Sequence, residues 1–304
     1  MPKKKSIGAA IQRDKYLFLM FIPAAIYYIV FHYIPLSGVV IAFKNFQPGN
    51  GIYAGEWVGL KWFQEFFHSI FAGRLIRNTV LLSLYSLIFG FPLPIIFAVC
   101  VSEIKWMKPR RIIQTVSYIP YFISTVVLVG MIKNFFSLND GIVNQIIEAL
   151  GGKRINFMMS ADWFRPLYVG SGIWKSFGFD SIIYIAAIAG VDPSLYEAAK
   201  LDGITKFKEV YHITLPSIAP TILMLFILSL GSIMSVGFEK VYLMYSPAVY
   251  ETADVISTYV YRKGIESNSL SFATAIGLFN SVINFLFVYG ANRLSRKATQ
   301  TSLW

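Results

Sequence analysis

Charged residues are scarce in this 304-residue chain: they make up 14% of it, against 56% hydrophobic and 16% aromatic residues. A soluble domain carries about 25% charged residues. A soluble core formed by a chain of this length does not need so much apolar sequence. We therefore expect the excess to face lipid.

Cysteine and histidine are also sparse, and a glycine-rich phosphate-binding sequence is missing. The single cysteine, Cys100, can form neither an internal disulfide nor a redox pair. His32, His68 and His212 lack the spacing of metal ligands. No phosphate-binding G-x-x-x-x-G-K-[ST] sequence occurs, and GGKR at 151–154 lacks both the first glycine and the hydroxyl. With no catalytic cluster in a credible context either, the chain is predicted to bind no metal or cofactor and not to be an enzyme by itself.

Long apolar runs fill most of the chain. About 20 apolar residues span a bilayer as a helix. Pro23 and Pro35 predict that only the lower-numbered half of the first run spans the membrane and that the rest of the run bends away from this span. This run is too long for a signal peptide and is expected to stay uncleaved. Six runs qualify as spans: 16–43, 79–101, 112–132, 167–190, 216–239 and 271–291.

The net charge of +11 is confined to short segments between these runs, which favours topology signals and anionic lipid contacts over nucleic acid. With a cytoplasmic N-terminus, the inside segments hold 15 Lys or Arg in 63 residues and the outside segments 11 in 100. This bias predicts that the N-terminal segment 1–15 and the tail 292–304 are cytoplasmic and flank a membrane domain at 16–291. The clearest signal is the cluster Lys105, Lys108, Arg110 and Arg111.

Two of the outside loops have helical patterns. Segment 50–78 is rich in aromatic residues, which predicts a short helix at the membrane surface. Its aromatic residues are Trp57, Trp62, Phe63, Phe66 and Phe67. Apolar residues from Ile142 to Leu150 predict an amphipathic helix that ends at Gly151-Gly152.

The segment 191–215 predicts a helix-turn-helix between spans four and five. Asp192 is a good N-cap, and Pro193 suits the first helical position. Asp202-Gly203 ends this helix, and a second one from Thr205 leads to Leu215-Pro216, where span five is predicted to begin. Such a helix could enter a groove of another protein, with Glu197 as a charged anchor. From physical arguments alone, an amphipathic helix on the membrane surface fits equally well.

The order of residues resembles the EAA loop of binding-protein-dependent ABC importer permeases. Glu197-Ala198-Ala199 is followed by Gly203, then by nine residues, then by Ile213-Thr214-Leu215-Pro216. Trp174-Lys175, Gly178-Phe179 and the Pro120 that follows Tyr118 resemble the sugar-importing branch of this family. Asp14-Lys15-Tyr16, Tyr33-Ile34-Pro35 and Phe43-Lys44-Asn45-Phe46 are similar to a subfamily that imports complex, polysaccharide-derived oligosaccharides.

This resemblance implies an all-α, six-span permease with the methionine-permease-like fold of type I ABC importers, in the bacterial cytoplasmic membrane. It also implies three partners: a second permease subunit, an ABC ATPase dimer that binds ATP and magnesium, and an extracytoplasmic sugar-binding protein. The residues it assigns to ATPase coupling are Glu197, Ala198, Ala199, Asp202, Gly203, Leu215 and Pro216.

Polar and aromatic residues within spans are candidates for the substrate pathway. Lys175 could instead reach interfacial water, and Asn280 and Asn284 could hydrogen-bond neighbouring helices. The candidates are Tyr118, Tyr121, Trp174, Lys175, Asn280 and Asn284. The alternative function is an ATP-independent secondary transporter or channel, but Asp180 and Glu239 are its only candidate ion-binding carboxylates.

Overall fold

A computed structural model describes residues 14–299, and this part of the chain is helical apart from its loops and one isolated bridge between Lys44 and Trp57. Residues 1–13 of the predicted N-terminal segment and 300–304 of the predicted tail lie outside this description. The helices are α1 Lys15–Phe43, α2 Lys61–His68, α3 Ala72–Ser102, α4 Met107–Phe122, α5 Thr125–Phe135, α6 Ile142–Ala149, α7 Ala161–Ala189, α8 Pro193–Leu201, α9 Lys206–Leu230, α10 Phe238–Met244, α11 Tyr250–Ala253, α12 Ile256–Tyr261 and α13 Leu270–Thr299.

Four helices are long and apolar enough to cross a membrane, namely α1, α3, α9 and α13. Two bent pairs raise the number to six if each pair is one span: α4 with α5, at 97°, and α7 with α8, at 71°. Each of the six predicted runs falls on one of these units. In the first run, the helical path continues past Pro23 and Pro35 through π-helical and 3-10 turns to Phe43, so the predicted bend away from the span is wrong.

The third predicted span, 112–132, is broken rather than continuous. Pro120 lies in a 3-10 turn that ends α4, and α5 then continues at 97° to it. Ser124 starts α5 as an N-cap, and its side chain accepts the N–H of Val127 at 3.3 Å. A proline without an N–H followed by a capping serine favours a new helix over a continued one.

The fifth span differs from its prediction at both ends. It begins at Lys206 instead of Leu215-Pro216, because a π-helical turn over Val210–Thr214 lets the helix continue through the proline. It ends at Leu230 instead of residue 239, and residues 231–237 form an unwound segment before α10. Asn284 of α13 holds this segment: its Oδ1 accepts the N–H of Met234, and its amide donates to Ser235 Oγ, both at 2.9 Å.

Two groups of buried side chains hold the helices together. One joins α7 to α3, α5 and α10 through residues such as Leu82, Leu128, Phe164 and Val241. The other joins α2, α3, α12 and α13, with Phe66 at its centre. Most apolar side chains of α1 are exposed, as expected of a helix that faces lipid or a partner.

The predicted aromatic helix exists as α2, but only part of it could face a membrane. Phe66 is buried against Tyr259 and Phe279, and the Trp62 indole donates to the carbonyl of Lys44 at 2.9 Å. Phe67 is exposed. The aromatic residues of α2 therefore serve packing within the chain as well as any contact with lipid.

The predicted helix in segment 134–165 is confirmed as α6, and Gly151 ends it with a φ of +83°. The fully buried Asn144 anchors the loop that follows. Its amide donates to the carbonyls of Ser137 and Ile155, and its Oδ1 accepts the N–H of Ile155, at 2.8–2.9 Å.

A buried ionic cluster fixes segment 245–262 to α3. The Asp254 carboxylate, 1% exposed, accepts hydrogen bonds from Arg262 at 2.7 and 2.9 Å and from Arg74 at 3.1 Å. The Arg262 guanidinium also lies 4.9 Å from the ring centroid of Tyr250. Arg74 and Arg262 were counted in the sequence as topology signals, whereas the structure pairs both with a buried acid.

Candidate coupling segment and substrate cavity

Helix α8 is capped as its sequence predicts. Pro193 occupies the first turn, and the Asp192 side chain accepts the N–H of Ser194 at 2.9 Å. This hydrogen bond lowers the pKa of the Asp192 carboxyl from its ordinary value. The cap ends the path of α7 and starts α8 at 71° to it.

Gly203 ends α8 with a φ of +68°, in the left-handed region that costs other residues free energy. The N–H of Gly203 bonds to the carbonyl of Lys200 at 3.2 Å, and the N–H of Ile204 to that of Ala199 at 3.3 Å. An added Cβ at Gly203 would meet no atom of this chain. The glycine is thus required here for its backbone conformation and not for space within the chain.

Two faces of α8 have different surroundings. Glu197 and Ala198 are exposed, as is Leu201, which is 90% accessible. On the opposite face Ala199 is buried, and the Tyr196 hydroxyl lies 3.2 Å from Thr214 Oγ1 of α9. Ala199 therefore packs within the chain, while Glu197, Ala198 and Leu201 form a free face that a partner could cover.

The remaining motif residues lie at the end of α8 and within α9. Asp202 is the exposed C-cap of α8, and Leu215 and Pro216 lie in the continuous α9, with Pro216 exposed. The role of these residues and of the free face in ATPase coupling stays a prediction.

An ion-pair bridge missed by the sequence analysis supports the coupling segment. Lys206 Nζ lies 2.6 Å from the carboxylate of the buried Glu209 and 3.0 Å from that of Glu103 at the end of α3. Only the i, i+3 spacing of Lys206 and Glu209 was a signal for it. The bridge links the α8–α9 turn to the loop between spans two and three.

A cavity of about 500 Å³ lies between α3, α7, α9 and the unwound segment 231–237. Its walls carry Asp180 of α7, Lys240 of α10 and six serines: Ser83, Ser86, Ser176, Ser229, Ser232 and Ser235. Irregular backbone inside a membrane protein is tolerated where it is buried in protein or lines a cavity. Ligand sites of small molecules commonly have 300–1,000 Å³.

The six predicted pathway residues do not line this cavity. Tyr121 stacks on Phe179, with ring centroids 3.8 Å apart, and Asn284 holds the unwound segment. Trp174 is largely exposed, and Lys175 and Tyr118 are half-buried. The buried Oδ1 of Asn280 has no hydrogen-bond partner within residues 14–299. A pathway role for these residues stays a prediction, whereas the serines gave no sequence signal because serine is common in any helix.

Two proteins of Bacillus subtilis (strain 168) match almost the whole chain. Protein LplB is 43% identical over 97% of this chain and 93% of its own length. The polygalacturonan/rhamnogalacturonan transport system permease protein YteP is 39% identical over 99% of this chain and 94% of its own length.

Solved structures agree with the fold. A chain of a bacterial alginate ABC transporter, crystallised with its alginate pentasaccharide-bound periplasmic protein, superposes with a TM-score of 0.91 at 41% identity. It covers 98% of this chain and 100% of its own. A chain of the MetNI methionine ABC transporter shares the fold, with a TM-score of 0.52 at 13% identity over 75% of this chain and 94% of its own. The predicted all-α, methionine-permease-like fold is therefore confirmed.

The family model of the binding-protein-dependent transport system inner membrane component matches residues 67–300, more than half of the chain. The match includes the EAA segment, the cavity and five of the six span units. The chain belongs to this family and is a multi-pass permease of a bacterial ABC importer, without an ATPase site of its own.

Proposed function

We propose that the chain imports an oligosaccharide released from a polysaccharide. The observation that carries this proposal is near-full-length similarity to the permease YteP, whose name specifies polygalacturonan and rhamnogalacturonan, and to the alginate transporter. The serine-lined cavity supports it, because hydroxyl groups are both donors and acceptors and suit the hydroxyls of a sugar.

The proposed assembly contains this chain, a second permease subunit, an ATPase dimer that binds ATP and magnesium, and an extracytoplasmic sugar-binding protein. The second permease would form a heterodimer with this chain and close the open side of the cavity. Both termini and the segment 191–215 are placed in the cytoplasm, as the Lys and Arg distribution predicts.

The free face of α8 is the proposed contact with the ATPase. Glu197 can form charge-assisted hydrogen bonds, and Leu201 offers a mostly exposed apolar side chain to a groove. ATP binding would draw the ATPases together and move α8, and with it α7, towards the outward-facing state. Nucleotide and the loaded binding protein then favour the same state, so that their binding is coupled.

Uptake of labelled oligosaccharides by cells that carry variants with altered charge on or beside α8 tests this proposal. Glu197→Lys is expected to abolish ATP-driven uptake, since it places a cation on the face that meets the partner. Gly203→Asp is expected to do the same, because it strains the turn and adds charge there. The matched control is Glu65→Lys, a charge reversal on the exposed side of α2.

Membrane levels of all three variants are measured in the same cells. Loss of uptake at normal levels for the two α8 variants, with the control active, supports the coupling assignment. Normal uptake by both α8 variants refutes it, and failure of the parent chain to import any polysaccharide-derived oligosaccharide refutes the substrate class.

A further inference from the structure

Lys240 places its amine in the cavity, and no carboxylate lies within ion-pair distance of it in the chain from 14 to 299. Its Nζ donates to the carbonyl of Tyr168 at 2.6 Å and lies 4.5 Å from the centroid of the Tyr168 ring. None of the ion pairs among the described residues involves Lys240. An ammonium has three donors, and the carbonyl uses one of them.

The packing around Lys240 leaves room for its head group. A Cβ added to Gly172 of α7 would lie 3.2 Å from Lys240 Nζ, which is tighter than ordinary contacts. Burial, and then the positive charge of Lys175 one turn further along α7, lower the pKa of the Lys240 amine from its ordinary value. A buried amine without an ion-pair partner is stabilised in its charged form when an anion enters the cavity, so Lys240 is suited to bind a carboxylate there.

The other polar groups of the cavity come from α7, from α3 and from the segment 229–235. Asp180 is eight residues after Gly172 on α7, about 12 Å along the helix axis at 1.5 Å per residue. Ser176 lies between them, and the serines of α3 and of the segment 229–235 line the same space. Along α7, the Lys240 amine therefore lies beside Gly172, Asp180 follows about two turns further on, and Ser176 lies between them.

We propose that Lys240 binds a carboxylate of the transported sugar, so that the substrate is an acidic oligosaccharide containing uronate units. Its ring hydroxyls bind the cavity serines and Asp180. In the proposed orientation α7 runs inward from residue 161, and an arriving sugar therefore meets Lys240 before Asp180. This assignment rests on the proposed function and adds to it the residue that discriminates charged from neutral sugars.

The test uses the complete importer, with its partner subunits and binding protein, in proteoliposomes containing ATP. The substrates are uronate trisaccharides from polygalacturonan, rhamnogalacturonan and alginate, each paired with its methyl ester, which removes the charge and keeps the sugar. The measured quantity is the ratio of kcat/KM for the acid to that for the ester. Parallel binding measurements with the isolated binding protein remove its own preference from this ratio.

For the parent chain the ratio should favour the acid. Lys240→Met should lower it about tenfold or more, as expected for loss of a charge-assisted hydrogen bond. Lys240→Arg, which keeps the charge, should restore most of it. Gly172→Ala should also lower the ratio, because it crowds Nζ without removing the charge, whereas Gly170→Ala, with open space at its Cβ, should not.

An unchanged ratio in Lys240→Met, or equal losses for acid and ester, would overturn the assignment and leave Lys240 as a packing residue held by Tyr168. Transport of esters as fast as acids by the parent chain would also overturn it while leaving the proposed function standing. Absence of ATP-driven uptake of every trisaccharide would refute the proposed function itself, and the assignment with it.

Discussion

Replacing Asp254 by Asn should loosen segment 245–262. The carboxylate is 1% exposed and lies between Arg74 and Arg262, whose side chains are 31% and 21% exposed. Removing the charge leaves two partly buried guanidinium groups facing each other without an anion. Breaking a buried ion pair by removing one partner costs 3–5 kcal/mol, and the partial exposure of both arginines favours the lower end, about 3 kcal/mol.

Hydrogen exchange of the purified importer measures this loss locally. At 1.36 kcal/mol per factor of ten, about 3 kcal/mol corresponds to roughly 100-fold faster exchange, provided that the segment opens and closes rapidly compared with the chemical exchange step. The affected amides are those of α12, whose first turn holds the buried Thr258 against Asp254 Oδ1. Uptake should fall as well, because residues of this segment share buried clusters with Met234 and Val236 of the unwound segment.

The matched control is Glu251→Gln, which removes the exposed carboxylate three residues earlier. Its exchange should equal that of the parent chain. Adding Arg74→Gln to Asp254→Asn should recover part of the lost protection, since one of the two uncompensated charges is then gone. Equal exchange in Asp254→Asn and the control would refute the assignment of Asp254 as the anchor of this segment.

Three further outcomes follow from the backbone and the topology. Gly178→Ala should lower the thermal stability of the purified importer, because its Cβ would lie 2.1 Å from the carbonyl oxygen of Ser117. Gly170→Ala in the same helix has open space at its Cβ and should leave the melting temperature unchanged. Equal melting temperatures for the two variants would contradict this close approach. Gly203→Asn should retain more uptake than Gly203→Ala, since Asn tolerates a φ of +68° better and an Ala there costs about 1 kcal/mol; the reverse order would indicate that side-chain size against a partner decides. Lys208→Cys, on the exposed surface of α9, should react with a membrane-impermeant thiol reagent only in opened cells, and labelling of intact cells would refute the proposed orientation.

Local features of this chain could be predicted because their causes are local. The Asp192 cap, the proline after it and the Gly203 stop each depend on a few neighbouring residues, and the structure reproduces them. The six apolar runs reflect the length needed to cross a bilayer, and each falls on one span unit, although the fifth span covers Lys206–Leu230 instead of the predicted 216–239.

Features built from distant residues could not be predicted. Arg74 and Asp254 are 180 positions apart, and no pattern in one segment indicates the other. The cavity combines α3, α7 and segment 231–237, so its serines were indistinguishable from other helical serines until the fold placed them together. The end of the fifth span had a signal, since Gly231 and Gly237 bracket the unwound segment, but the apolar residues Ile233, Met234 and Val236 between them continue the apolar run of α9 and concealed the break.

The central claim is that this permease works with a separate ATPase and a second permease subunit. Affinity purification of the chain from its native membrane in mild detergent, with the co-purifying proteins identified by mass, tests it directly. We expect a P-loop ATPase and a second six-span permease in stoichiometric amounts. Both should be retained by the Glu65→Lys control, and the ATPase should be lost from Glu197→Lys. Recovery of the chain alone or as a homo-oligomer, without an ATPase in several mild detergents, would contradict it.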